Sequence, residues 1–353
     1  MRITAIGIMS GTSLDGLDLC HAVFVFDGRS WNFDILATEF VPYDKGWREV
    51  LGGAHLLSAE QLAHWNDEFG LYSGQMVNEF LKKTRLEKPQ LVCSHGHTVF
   101  HDPAKKLTLQ IGNGAVIAKE TGIATVWDFR SLDVSLGGQG APLVPIGDEL
   151  LFADYEACLN LGGFSNISFR EDGERRAFDI CPVNIVLNPL AAELGLDYDD
   201  NGVLARAGTI DKGLLAELNG LSIYKGGTRP SLAREWVEKA LQPLIKAAPN
   251  STQDKLATLT EHAAMQIGRV ISSKAADGRV LVTGGGAKNG FLMERLRALS
   301  KAEIVIPKAE IVEFKEALIF AFLGVLKWRG ETNVLRSVTG SERDSCSGVV
   351  SMP

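Results

Sequence analysis

Chemistry is most legible near the start of the chain, where Met9-Ser10-Gly11-Thr12-Ser13-Leu14-Asp15-Gly16 interrupts an apolar, strand-like run over residues 3–8 that resumes over residues 17–26. Two strands joined by such a turn form a hairpin whose backbone N–H groups and hydroxyls can surround phosphate oxygens. One carboxylate in it is close enough to hold Mg²⁺. Alone, a turn of Gly, Ser, Thr and Asp is usually only a turn. Here the plan recurs. Residues 31–40, rich in β-branched and aromatic side chains, follow the turn signal Asp27-Gly28 and complete an antiparallel meander. Halfway along, the apolar strand 157–161 meets the small-residue turn Gly162-Gly163-Phe164-Ser165-Asn166 and returns over 167–170. After Glu171-Asp172-Gly173-Glu174, a third short strand ends at Ala177-Phe178-Asp179.

Duplication of a strand-turn-strand-turn-strand unit predicts two related lobes whose hairpin loops face one cleft and grip ATP between them. A third nucleotide element is expected over residues 279–292, where a buried strand ends in Gly284-Gly285-Gly286 and opens into an amphipathic helix. Its glycines let backbone lie flat against a ligand, with the helix N-terminus aimed at negative charge.

The elements that must carry these loops alternate. Leu62, Trp65, Phe69, Met76 and Phe80 build one apolar face over residues 58–83, and residues 256–276 show the same helical period. The fold class is therefore α/β. At 353 residues the chain favours two lobes, and 45% hydrophobic with 22% charged residues is ordinary for a globular protein. We place the boundary within residues 130–140, giving an N-terminal lobe 1–131 and a C-terminal lobe 132–353. A net charge of −7 argues against nucleic acid or an anionic membrane as partner. No signal-peptide pattern opens the chain, and the apolar stretch 317–326 is shorter than the ~20 residues that span a bilayer. The five cysteines show no metal or redox pairing. A cytoplasmic protein is expected.

The segment Met9 to Asp18 resembles the opening signature of the anhydro-N-acetylmuramic acid kinases, a bacterial family of cell-wall (peptidoglycan) recycling within the actin-like, hexokinase-like and heat-shock-chaperone superfamily. Further segments follow the family pattern in order. They are Ser94-His95-Gly96-His97-Thr98, Leu109-Gln110-Ile111-Gly112-Asn113, Asp128-Phe129-Arg130, the run Gly137-Gly138-Gln139-Gly140-Ala141-Pro142, Leu159-Asn160-Leu161-Gly162-Gly163, and Val282-Thr283-Gly284-Gly285-Gly286.

The resemblance implies a two-lobed fold with duplicated mixed-sheet domains around an ATP cleft. It also implies an ATP- and Mg²⁺-dependent sugar kinase that converts 1,6-anhydro-N-acetylmuramic acid and water to N-acetylmuramic acid 6-phosphate. Asp179 is then the base that activates water, since the 6-oxygen locked in the anhydro bridge has no proton to lose. Gly11, Thr12, Ser13, Leu14, Asp15, Gly16, Leu17 and Asp18 form the first phosphate loop, with Asp15 on Mg²⁺ through water. Asp18, inside the returning strand, reads equally as a structural carboxylate. Gly162, Gly163 and Asn166 form the second loop, and Gly284, Gly285 and Gly286 the adenosine wall. Arg130, at a strand end, is expected to pair with the lactyl carboxylate or a phosphate, and Glu316, opening an apolar helix, to point into the cleft. A surface ion pair and a solvated helix-start charge are the bland readings of these two.

His97 and His101 have metal-like spacing, but on an extended chain four residues separate side chains by roughly 13 Å. A substrate-contacting loop using His97 and Thr98 is expected instead. Two departures stand out. Ile180-Cys181-Pro182-Val183-Asn184 replaces the family's usual Thr-Gly-Pro-Gly-Asn, and His97 stands where glutamine is usual. Two alternatives remain at this stage: a kinase of another amino sugar or sugar, and a non-catalytic ATP-binding homologue. The resemblance alone also leaves a homodimer open.

Overall fold

The apolar runs fold into two mixed sheets. The computed structural model describes residues 1–225 and 232–353. The first meander is β1 (Arg2–Ser10), β2 (Gly16–Phe26) and β3 (Trp31–Pro42), antiparallel from Arg2 opposite Val25 to Ser10 opposite Leu17. Beside β1 lies β4 (Leu91–Asp102), parallel to it, then β6 (Thr125–Trp127), parallel to β4, with β5 (Leu107–Ile111) folding back antiparallel on β4. On β2 the residues Leu17, Leu19, Cys20, Ala22, Val23 and Phe24 are all buried, as in a strand covered on both faces.

The second sheet repeats the plan. β7 (Ala157–Leu161), β8 (Phe164–Glu171) and β9 (Glu174–Pro182) form the meander, and β10 (Arg279–Thr283) and β11 (Glu303–Val305) add parallel strands beside β7. The orders β3-β2-β1-β4-β6 and β9-β8-β7-β10-β11 correspond strand for strand, the duplicated mixed-sheet topology expected of an actin-like, hexokinase-like fold. The 58–83 periodicity is the helix Ala59–Thr84, started by a Ser58/Gln61 capping box, with Phe69, Val77 and Phe80 in the core of the first unit. The second periodic stretch is the helix Thr252–Lys274, packed into the core of the other unit.

The division between units differs from the single boundary expected at 131/132. One unit comprises Met1–Leu151 and Phe314–Pro353, the other Phe152–Glu313. The C-terminal segment therefore belongs with the first sheet. Its helix, Ala309–Trp328, enters this unit at Phe314 and is apolar on every side over residues 317–326, and Ala317 to Phe322 are all 1% exposed or less. Glycines let its backbone ride directly on the strands: a Cβ on Gly7 would lie 1.8 Å from the Ala317 carbonyl oxygen, and one on Gly324 would lie 2.1 Å from Cys93 Sγ. Beyond it, β12 (Val349–Ser351) pairs antiparallel with β6. Buried Asn333 pins the return, donating to the carbonyls of Leu323 and Ser347 and accepting from Ser347 N–H at 2.7 Å. Periodicity finds such a helix but not the sheet that will cover it.

Candidate active site

The first loop is shorter than the sequence suggests, because Met9 and Ser10 still pair with Asp18 and Leu17. Residues 11–15 remain as the connection. Asp15 Oδ1 accepts from Ser13 Oγ at 2.6 Å and from Gly16 N–H at 3.0 Å, and its carbonyl takes Tyr43 N–H at 2.9 Å. Gly16 is required here, since a Cβ would sit 2.3 Å from the Val41 carbonyl oxygen. Leu14, at φ +59°, packs its side chain onto the first core, and Leu17 lies fully inside it. Of the expected loop residues these two therefore offer a ligand only backbone, while Thr12 and Ser13 stand exposed. Asp18 faces Met9 within the hairpin, part-exposed. Below the loop, Ser10 Oγ bonds Tyr43 Oη at 2.6 Å and His97 Nδ1 at 2.9 Å.

His97 and Thr98 lie in strand β4, opposite Ile111 and Gln110 of β5, and not in the loop expected for them. The register of β4 shifts on both flanks of the pair, so the strand is bulged here and its side chains are re-aimed. His97 is buried, and desolvation lowers its pKa to about 4, keeping the imidazole neutral. Among the described residues no group of three His, Cys, Asp or Glu is placed to hold a metal, His97 and His101 included.

Arg130 does not end a strand. It precedes the short helix Ser131–Ser135, past the end of β6. Its Nε and Nη2 donate to His95 Nε2 at 3.0 and 2.8 Å, and Nη1 donates to the Gly140 carbonyl at 2.5 Å. Burial lowers its pKa to about 10, against the pull of the Glu316 and Asp133 carboxylates, so it stays charged at neutral pH. Gly140 is fixed in turn by Asp133, fully buried, whose Oδ2 accepts Gly140 N–H at 2.8 Å and whose Oδ1 accepts the Thr339 hydroxyl at 2.7 Å. Glu316 lies two turns inside the helix Ala309–Trp328 and does not open it, so a helix-start charge is not its role. Surrounding protein pushes its carboxyl pKa up, while Arg130 and then Lys315 pull it down.

In the other unit the second turn is two residues, Gly162-Gly163; Asn166 stands already in β8, opposite Asn160 on one side and Asp179 on the other. The strand holding Asp179 continues to Pro182, so Asp179 is interior to β9 and not at its end. The register slips between Ser165 and Asn166, leaving Ile180 as the extra residue of a bulge beside the carboxylate. Asp179 is half-buried and its Oδ2 accepts Leu232 N–H at 2.8 Å. After β10 the chain passes through Gly284 at φ +83°, where a Cβ would meet Asn160 Oδ1 at 2.6 Å. The helix Gly290–Leu299 begins only after a 3₁₀ turn, Gly285–Lys288, so its N-terminus is not at the three glycines. The glycines lie instead against the end of β7: a Cβ on Gly286 would be 2.7 Å from Leu161 Cβ. The Gly162-Gly163 turn and the Gly284 to Gly286 bend thus meet at Leu161, and Val183 N–H donates to the Gly163 carbonyl at 2.8 Å, tying the turn to the end of β9.

Sequence reading missed Ser10, Tyr43, His95 and Asp133. His95 was visible only as part of a motif, because the guanidinium that it serves is 35 residues away.

The chain is similar to known proteins over almost its whole length. The family model for anhydro-N-acetylmuramic acid kinase matches residues 3–353. The protein of that name from Mannheimia succiniciproducens is 35% identical, with 99% of each chain covered, and that from Pseudomonas putida is 37% identical over 90% of this chain and 91% of its own. Among solved structures, the activator of 2-hydroxyisocaproyl-CoA dehydratase from Clostridium difficile resembles the chain at a TM-score of 0.46, with 13% identity, covering 93% of this chain and 97% of its own. That distant likeness adds nothing to the assignment. A family match over almost every residue, with relatives of the same length, is sufficient: the chain belongs to the anhydro-N-acetylmuramic acid kinase family.

Proposed function

We propose that this sugar kinase opens the anhydro bridge and phosphorylates the freed oxygen in one coupled reaction, with Asp179 as base. Water attacks the anomeric carbon of 1,6-anhydro-N-acetylmuramic acid as Asp179 takes its proton. The bond from that carbon to O6 breaks, and O6 accepts the γ-phosphoryl group of ATP. The products are N-acetylmuramic acid 6-phosphate and ADP. The observation that carries the base assignment is the setting of Asp179, a half-buried carboxylate at a strand bulge with one oxygen tied to Leu232 N–H. A base so anchored is pre-aimed and needs no reorganisation at the moment of proton transfer.

The remaining roles are assigned unit by unit. Residues 11–13 offer exposed hydroxyls and backbone to phosphate oxygens, and the bend at Gly284 to Gly286 with the Gly162-Gly163 turn offers flat backbone to the nucleoside. Mg²⁺, when bound, neutralises phosphate charge. Asp15 fits it through water, because the carboxylate is exposed and its hydrogen bonds from Ser13 and Gly16 both fall on Oδ1. Arg130 receives the lactyl carboxylate, and Glu316 orients the sugar. The proposed setting is recycling of cell-wall sugar in the cytoplasm, where ATP is supplied.

The test is incubation with Mg²⁺-ATP and the anhydro sugar in ¹⁸O-labelled water, with mass spectrometry of the product. Label at the anomeric position of a phosphorylated sugar, lost in Asp179→Asn, is the expected result. A phosphorylated product without label overturns the coupled hydrolysis.

A further inference from the structure

We infer that His95 is the positioning residue that aims Arg130 at the carboxylate of the sugar, gripping the guanidinium by its inner edge through a neutral acceptor. This rests on the assignment of Arg130 to that carboxylate. His95 is 5% exposed, and its ring lies against Phe320 with centroids 4.6 Å apart. Its Nδ1 is 2.8 Å from the Gly96 carbonyl, an oxygen that can only accept, so the proton resides on Nδ1 and Nε2 is left with its lone pair. That lone pair faces two Arg130 N–H groups, on Nε and Nη2. Burial, followed by the charge of Arg130, holds the His95 pKa well below its ordinary value, and the ring remains an acceptor across neutral pH.

A guanidinium carries five N–H groups. His95 takes two and the Gly140 carbonyl one, leaving two of the five, one on each terminal nitrogen, on a half-buried side chain. Two N–H groups on adjacent nitrogens match the two oxygens of a carboxylate. Both holders are uncharged. A carboxylate in the place of His95 would fix the same geometry but add a third negative charge to those of Glu316 and Asp133 that already act on Arg130; a neutral imidazole fixes it without adding one. The grip is backed on each side, by the Gly96 carbonyl behind His95 and by Asp133 behind Gly140.

The experiment is a double-mutant cycle on the intact enzyme, reading KM for the anhydro sugar and for ATP separately. Arg130→Ala is expected to raise the sugar KM. His95→Phe, which keeps a ring against Phe320 but loses the acceptor, is expected to raise it about tenfold to a hundredfold, with the ATP KM within about twofold. His95→Gln, which returns an acceptor, recovers most of the loss, and His95→Phe adds nothing in the Arg130→Ala background. Should His95→Phe fail to fold, His95→Met carries the same comparison. An additive double mutant, equal losses for Phe and Gln, or an unchanged sugar KM in His95→Phe while Arg130→Ala raises it, each overturns the role of His95 alone. An unchanged sugar KM in Arg130→Ala overturns the carboxylate assignment itself.

Discussion

Gly7 offers the sharpest test of how the site is held. It is buried on β1 where the helix Ala309–Trp328 crosses, and a Cβ there would lie 1.8 Å from the Ala317 carbonyl oxygen, 2.8 Å from its carbon and 2.9 Å from Ala321 nitrogen. All three are backbone atoms, so no side chain can rotate away to make room. Restoring even the 3.0 Å limit of observed Cβ contacts requires the helix to retreat by about 1.2 Å, an overpacking that costs about 1–3 kcal/mol. The same helix carries Glu316, adjacent to Ala317, and Phe320, which backs His95. Gly7→Ala should thus lower the urea midpoint of the first unit by about 1 M, taking a denaturant slope of ~2 kcal/mol per M. It should also cut kcat/KM by up to about a hundredfold, because a displacement of about 1 Å is enough to spoil a reacting geometry. Gly53→Ala is the control: a Cβ there meets nothing within 4 Å and its φ is −94°. Urea unfolding followed by tryptophan fluorescence, together with steady-state kinetics, reads both effects. If Gly7→Ala matches Gly53→Ala in midpoint and in kcat/KM, the close crossing and the argument built on it are wrong.

Asp179→Asn should lower kcat by about 10²–10⁴ while leaving the affinity for an ATP analogue unchanged; a kcat within threefold of the parent would remove the base assignment. Asp133→Ala strands the buried Gly140 N–H and takes from the Thr339 hydroxyl its shortest acceptor, leaving it Ser341 Oγ at 3.2 Å, and should lower the melting temperature by more than about 5 °C in calorimetry, whereas no change would mean that the loop is held otherwise. His21 is buried with neither ring nitrogen hydrogen-bonded, and desolvation lowers its pKa to about 4. Because the unfolded chain takes up this proton near the ordinary value of 6.5 and the folded chain does not, the resulting stability is fully present above pH 6.5 and is lost as pH falls towards 4. His21→Leu should flatten that part of the pH dependence of the urea midpoint, and an unchanged slope would show that His21 is not its source. Asp15→Asn should raise the Mg²⁺ concentration for half-maximal rate about fivefold, read by Mg²⁺ titration at fixed ATP; an identical titration would sever Asp15 from the metal.

The sequence by itself determined what neighbours along the chain decide. Hairpins, their glycine turns and the two long helices depend on residue spacing and on turn chemistry within a few positions. So β1-β2-β3 and β7-β8-β9 were legible, and with them the duplication and the family. Strand ends were less so, because pairing with a partner prolongs a strand past its apolar run, as at Met9 and Ser10 and again from Asp179 to Pro182. Tertiary structure alone decided where the last 40 residues go. The run 317–326, apolar on every side, gives no preferred face, and only the glycines of β1 and of the helix itself let the backbones approach closely enough to bury it in the first unit. The same holds for the grip on Arg130: His95 and Gly140 bond it directly and Asp133 fixes Gly140, through pairings between a strand, a loop and a short helix that no local pattern encodes.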